Sequence, residues 1–127
     1  MKPEEVELVK KYLSGIMERL EIVAGTLNFG GFPRGTQVAM HSTLNSLAEI
    51  LITNKEISPK LRQTLVELHN ELAELGNSGI SDKAIFKDKF LAIITKLRDN
   101  LTSREFYGYT RVETTKLQAI IKSLIAL

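Results

Sequence analysis

Two histidines, His41 and His69, carry the side chains of this chain that are best suited to acid–base chemistry near neutral pH. Each follows an arginine by seven residues, because Arg34 precedes His41 and Arg62 precedes His69. An arginine side chain can bind an anion, and a histidine can transfer a proton. The 127 residues include no cysteine, which excludes disulfides, thiolate metal ligands and cysteine nucleophiles.

The R-x6-H spacing of these pairs is similar to the R-x4-6-H motif of HEPN-type ribonucleases, which are all-α domains of comparable length and often form dimers. The resemblance implies that His69 or His41 is the acid–base group and that its paired arginine stabilises an RNA phosphate. On a continuous helix Arg62 and His69 would share a face, about 10 Å apart. Arg34 is expected to lie before the helix that carries His41, so this pair is the weaker of the two. The alternative for both is an ordinary polar role beside an apolar stripe.

A glycine-rich segment over residues 25–36 carries Phe29, Phe32 and Arg34. Its glycine spacing and Thr36 resemble a phosphate-binding P-loop, but Gly35 stands where that loop has its lysine. The preceding element is predicted to be a helix, whereas a P-loop follows a strand, so nucleotide hydrolysis is excluded. Free amide groups beside Arg34 could hold a phosphate or a carboxylate. The alternative is that the glycines serve only the backbone conformation of a loop.

A second connection, residues 104–111, interleaves arginines with aromatic residues, which is typical of proteins that stack single-stranded nucleic acid. The net charge of +2 is too small to indicate such a function by itself. Five of the eight aromatic residues lie in these two connections, where they either cover the ends of a bundle or face a partner. The candidate binding residues are Phe29, Phe32, Arg34, Arg104, Tyr107, Tyr109 and Arg111.

The sequence contains only incomplete motifs for two other functions, histidine phosphotransfer and di-iron binding. The stretch from His41 to Asn45 resembles the phosphoacceptor box of histidine kinases but lacks the acidic residue that follows the histidine in that family. Di-iron bundles use Glu-x-x-His, and the residues three before the histidines are Val38 and Val66. The sequence therefore predicts no metal, no cofactor and no complete catalytic constellation.

Apolar residues recur every three or four positions and never alternate, which predicts helices throughout. The first helix contains Pro3 in its first turn and is expected to stop at Gly25. The second should run over about 37–53 after a cap at Thr36. The remaining boundaries are predicted at Ser58–Pro59 and Gly76 for the third helix, at a Ser81 cap for the fourth, and from a Thr110–Glu113 capping box almost to Leu127 for the fifth. These spacings predict an all-α up-and-down helical bundle of four to five antiparallel helices, forming one domain over 1–127.

The last predicted helix is apolar on most of its sides, so it must be buried on most of its sides. It either lies centrally in its own bundle or docks against a second chain. The second alternative predicts a homo-oligomer. The residues expected at that interface are Leu117, Ile120, Ile121, Leu124 and Ile125.

The second and third predicted helices, with the link Asn54-Lys55-Glu56-Ile57, resemble the helix–NK–helix pattern of pediocin-like bacteriocin immunity proteins. Those are small cytoplasmic bundles that bind a membrane receptor complex. Acidic residues near the N-terminus and the lack of a long apolar run predict a cytoplasmic protein without a membrane span. The function predicted is a non-enzymatic protein–protein interaction of the adaptor, regulatory or immunity type, with self-association. The alternatives are the HEPN-like ribonuclease and a single-stranded nucleic-acid-binding module.

Overall fold

The computed structural model describes residues 3–54, 57–103 and 110–126. These residues form five helices: α1 (Pro3–Asn28), α2 (Arg34–Thr53), α3 (Pro59–Gly76), α4 (Lys83–Leu101) and α5 (Arg111–Ile125). The predicted all-α helical bundle is therefore confirmed. None of the helices formed by the described residues combines the length and apolar character that a membrane span requires.

The five helices close into a ring. Each helix packs against the one before and the one after it, and α1 also packs against α5. The Nδ2 of Asn28 donates to Ser123 Oγ at 3.0 Å, which places the C-terminal ends of α1 and α5 side by side. Successive helices are antiparallel, and because five is an odd number, closing the ring brings two parallel helices together at this seam.

The core consists largely of the predicted apolar stripes. On α3 every leucine of the predicted stripe, Leu61, Leu65, Leu68, Leu72 and Leu75, is buried. On α4 the buried isoleucine is Ile94, whereas Ile93 of the predicted stripe is only half-buried. Phe90 is the largest of the fully buried side chains. Burial of this apolar surface provides the main driving force for the ring to close.

The junction between α1 and α2 differs from the prediction. Helix α1 continues through Gly25 to Asn28, because this extension buries Leu27 completely. Gly30, at φ +86°, then supplies the left-handed conformation that ends the helix. Helix α2 begins at Arg34, so the predicted cap at Thr36 is wrong. Thr36 is instead fully buried inside α2, with its hydroxyl 2.7 Å from that of Thr26.

The other helix starts match the prediction in part. Ser58 caps α3 as predicted, since its hydroxyl accepts from the Leu61 amide at 3.3 Å. The cap of α4 is Asp82 and not Ser81; its carboxylate accepts from two amides of the first turn and is favoured by the positive helix end. Helix α5 begins at Arg111 as predicted, but the Thr110 side chain makes no capping hydrogen bond. Its hydroxyl donates to the Leu101 carbonyl at 2.7 Å and so ties α5 to the end of α4.

Candidate functional site

The bundle has two unlike ends. We call the upper end the one where α1, α3 and α5 finish and where α2 and α4 begin. It includes the α1–α2 connection, residues 29–33, and the α3–α4 connection, residues 77–82. The lower end holds the α2–α3 and α4–α5 junctions. The glycine-rich segment therefore lies at the opposite end of the bundle from Arg111, the first residue of α5.

An open cleft of about 350 Å³ lies at the upper end, between α2, the end of α3 and the start of α4. Most of its lining is apolar, and the exposed polar side chains at its rim belong to α2 and to the α3–α4 connection. The apolar lining includes Phe32, Val38, Met40, Leu44, Leu75, Ile80 and Phe86. The polar rim is formed by Arg34, Gln37, His41 and Asn77. This cleft brings together two of the predicted binding residues, Phe32 and Arg34.

The two phenylalanines of the glycine-rich segment have different surroundings. Phe32 is half-buried and packs on Phe86, with ring centroids 5.3 Å apart in a tilted arrangement. It covers the end of the core, which is one of the two roles expected for aromatic residues in the connections. Phe29 is 90% exposed, so its ring is almost entirely uncovered by the described residues. Of the pair, only Phe29 presents a free aromatic ring to solvent.

Arg34 and His41 both belong to α2 and both line the cleft. The expectation that Arg34 precedes the helix is wrong, because α2 begins at this residue. Two helical turns separate the pair, so their Cα atoms lie about 10 Å apart on one face. Both side chains are exposed, and Gln37 lies between them along the same rim. The Arg34 and His41 side chains therefore share the rim of one cleft.

Arg62 is engaged in the fold. Its guanidinium donates to the carbonyls of Leu51, at 3.0 Å, and Asn54, at 2.8 Å. These carbonyls lie at the C-terminal end of α2, where helix groups lack intrahelical donors and where positive charge is favoured. His69 is half-buried, with Nδ1 3.5 Å from Asn70 Oδ1. In the Arg62–His69 pair, which the sequence favoured, the arginine therefore has a structural role.

Of the remaining predicted binding residues, the described ones, Phe29 and Arg111, do not line the cleft. Arg111 is the exposed first residue of α5, at the lower end. Arg104, Tyr107 and Tyr109 lie outside the described residues, so the nucleic-acid prediction made from them stays a prediction.

Four of the five residues predicted at an oligomer interface are buried in the core of a single chain: Leu117, Ile120, Ile121 and Leu124. Ile125 alone among the five is exposed, at 66%. Helix α5 lies in its own bundle because α1 and α4 flank it. Of the five predicted interface residues, only Ile125 is therefore accessible to a second chain.

Sequence reasoning missed several residues of the cleft, including Val38, Leu44, Asn77 and Ile80. A signal for Val38 was present, since it is an apolar residue that falls outside the buried stripe of α2. Val38 is 66% exposed, so it marks a surface that is more apolar than folding requires. The contribution of the α3–α4 connection depends on which helices become neighbours, and no local pattern reports that.

Away from the cleft, an ion pair joins α3 and α4. Glu71 on α3 accepts from Lys96 Nζ on α4 at 2.7 Å. The hydrogen bond and the negative charge of Glu71 raise the pKa of the exposed Lys96. Within the described part of the chain, no group of three or more histidine, aspartate or glutamate side chains could hold a metal ion.

The chain matches no protein-family model, no curated protein and no solved structure. The resemblances to HEPN-type ribonucleases and to bacteriocin immunity proteins gain no support from these comparisons. The function is therefore argued from the cleft and its surroundings.

Proposed function

We propose that this protein is a non-enzymatic interaction protein that binds a protein partner through the cleft at its upper end. The observation that carries the proposal is the open apolar cleft with a polar rim, formed by Phe32, Leu44 and Ile80 inside and by Gln37 and Asn77 at the edge. Protein interfaces have this composition, with an apolar centre that excludes water and polar groups around it.

The surroundings of His41 favour binding over catalysis. Among the described residues none forms a hydrogen bond with the His41 ring, whereas a catalytic histidine is usually oriented by a second group. The cleft is also apolar in most of its lining, which suits the burial of partner side chains.

The test uses two exposed apolar residues on the same helix. Val38 lines the cleft and is 66% exposed, while Ile52 is 70% exposed near the lower end of α2. A photo-crosslinking amino acid at each position would identify the partner by mass spectrometry. The purified partner would then be titrated against Val38→Asp and Ile52→Asp. We expect Val38→Asp to weaken binding at least about tenfold and Ile52→Asp to leave it unchanged, because only Val38 contributes apolar surface to the cleft. Equal effects of the two variants would contradict the proposal.

A ribonuclease of the HEPN type is the second candidate, and the shared position of Arg34 and His41 on the cleft rim favours it. Under this hypothesis His41 exchanges the proton and Arg34 stabilises the phosphate. Purified protein would be incubated with mixed RNA, together with His41→Ala and the control His69→Ala. Cleavage that disappears only in His41→Ala supports the enzyme. Absence of cleavage by the wild type, or equal cleavage by all three proteins, removes it.

We also propose self-association, in the cytoplasm, through the seam where α1 and α5 end. Phe29 and Ile125 are both exposed there, next to the hydrogen-bonded Asn28 and Ser123. Sedimentation at micromolar concentration should give the mass of an oligomer, and Phe29→Asp should reduce it to that of one chain. A wild-type protein that sediments as a monomer would contradict this proposal.

Nucleic-acid binding through residues 104–111 is the third candidate, and undetectable binding to RNA or DNA at low salt would remove it.

A further inference from the structure

The cleft has an uneven charge. Of the described side chains that line it, Arg34 alone carries a full charge at neutral pH, and no aspartate or glutamate is among them. Arg34 is also the first residue of α2, whose N-terminal amides carry partial positive charge. The rim of the cleft therefore attracts anions, while its interior is apolar.

A cation at this position is unfavourable for the helix itself. Positive charge at a helix N-terminus opposes the macrodipole by about 0.3–1 kcal/mol at an exposed site. Arg34 is exposed and makes no ion pair within the described residues. A bound carboxylate would interact favourably both with the Arg34 guanidinium and with the partial positive charge of the α2 N-terminus. Both interactions favour an acidic ligand.

We propose that the cleft binds an internal acidic segment of a partner protein. In this segment a glutamate or aspartate side chain pairs with Arg34, and a neighbouring bulky apolar side chain enters the cleft. The inference rests on the proposed function and adds to it the chemical class of the partner segment.

The size and lining of the cleft agree with this occupant. Its volume of about 350 Å³ lies near the lower limit for small-molecule sites, which suits one or two side chains of a longer segment. Gln37 and Asn77 on the rim can exchange hydrogen bonds with the backbone of that segment. An RNA strand would match Arg34 but would leave most of the apolar lining without a complement.

The experiment selects ligands without assuming a partner. A library of random dodecamer peptides, displayed with both ends fused to the carrier, would be panned against the full-length wild-type protein. Enriched sequences should contain an acidic residue within about four positions of Leu, Ile, Met or Phe, which is one helical turn. The same peptides, synthesised with blocked termini, would be titrated by fluorescence anisotropy against the wild type and its variants.

The variants separate a specific pair from general electrostatics. Arg34→Ala should weaken peptide binding about fivefold, as expected for an exposed ion pair, and Arg34→Glu should weaken it further. Lys10→Glu changes the net charge by the same amount as Arg34→Glu, but on the exposed surface of α1, away from the cleft. It should have no effect on peptide binding. Raising the salt from about 50 to 500 mM should weaken binding to the wild type but much less to Arg34→Ala.

The outcomes distinguish this inference from the proposed function. Enriched peptides without acidic residues, whose binding is lost in Val38→Asp but unchanged in Arg34→Glu, would overturn the acidic partner while leaving the cleft as a binding site. Three results would overturn the inference. The first is that the peptides bind Val38→Asp and Arg34→Glu as tightly as they bind the wild type, and the second is that no peptide is enriched. The third is that short RNA displaces the peptides while excess unlabelled peptide does not.

Discussion

Arg62 and Arg34 each precede a histidine by seven residues, yet their side chains have different chemical surroundings, because Arg34 begins α2 whereas Arg62 belongs to α3 and contacts the other end of α2. Arg62 reaches the C-terminal end of α2 and donates to two of its last carbonyls. Arg34 lies at the N-terminal end, where the helix offers amide donors and no acceptor. The direction of α2 therefore gives Arg62 a structural role and leaves Arg34 available to a ligand.

The same contrast extends to the two ends of the bundle. At the lower end of α2, Tyr12 donates to the Asn54 side chain, the Asn54 carbonyl accepts from Arg62, and Ser58 caps the next helix. Polar groups there are used within the chain. At the upper end, polar side chains surround an open apolar cleft. We expect the lower end to determine stability and the upper end to determine binding.

The largest expected effect is that of Arg62→Ala. Removal of the guanidinium leaves carbonyls at the end of α2 without their charged donor, which should lower the free energy of unfolding by about 3 kcal/mol. Arg34→Ala should be neutral or slightly stabilising, by up to about 0.5 kcal/mol, because it removes a cation from a helix N-terminus. Urea denaturation followed by circular dichroism measures both. A destabilisation of equal size in the two variants would show that the two arginines do not differ in role.

A smaller difference is expected between the two loop phenylalanines. Phe32→Ala removes a half-buried ring and its contact with Phe86, and should cost about 2 kcal/mol of unfolding free energy. Phe29→Ala should change it by less than about 0.5 kcal/mol, because the ring is almost fully exposed. Thermal and urea unfolding of the two variants, compared at a protein concentration where both have the same mass, provides the measurement. A loss in Phe29→Ala as large as that in Phe32→Ala would mean that Phe29 packs against something.

The smallest effect concerns the Lys96–Glu71 pair, which lies between the two ends. The folded state raises the pKa of Lys96, so the stabilisation is fully present below the unfolded pKa, about 10.4, and is lost as pH rises through the higher folded value. Glu71→Gln should return the pKa of Lys96 toward its ordinary value, as followed by NMR titration of the lysine side chain. Between neutral pH and pH 10 the stability of both proteins should respond to pH in the same way. An unchanged Lys96 pKa in Glu71→Gln would show that Glu71 does not cause the shift.

Local rules predicted the helices well where one side of the helix had to be buried. The leucines of α3, its Ser58 cap and its end at Gly76 follow from apolar spacing and capping chemistry alone. The same rules failed where a tertiary contact outweighed a local preference. Gly25 did not end α1, because the next turn buries Leu27, and Thr36 did not cap α2, because its hydroxyl meets Thr26 in the interior.

The candidate site could be predicted only in part for the same reason. Phe32 and Arg34 were identified from an unusual concentration of aromatics and glycines in one connection, and both line the cleft. The sequence favoured the Arg62 pair over the Arg34 pair, because Arg34 was expected to lie before the helix that carries His41, and it did not show that the Arg62 side chain bonds to the end of α2. Asn77 and Ile80 join the site through contacts between helices that are distant in sequence.

Residue pattern alone was sufficient to establish an all-α bundle, the existence of its helices and the unusual character of the glycine-rich connection, since burial of one helix face leaves a period that is visible in the chain. The tertiary structure decided the remaining features. Helix α1 lies against α5, and four apolar residues of α5 are internal. Arg62 donates to carbonyls at the end of α2, whereas Arg34 lines the cleft. These features depend on which helix ends become neighbours, and that choice is made by the free energy of the whole core, in which no single segment of sequence is decisive.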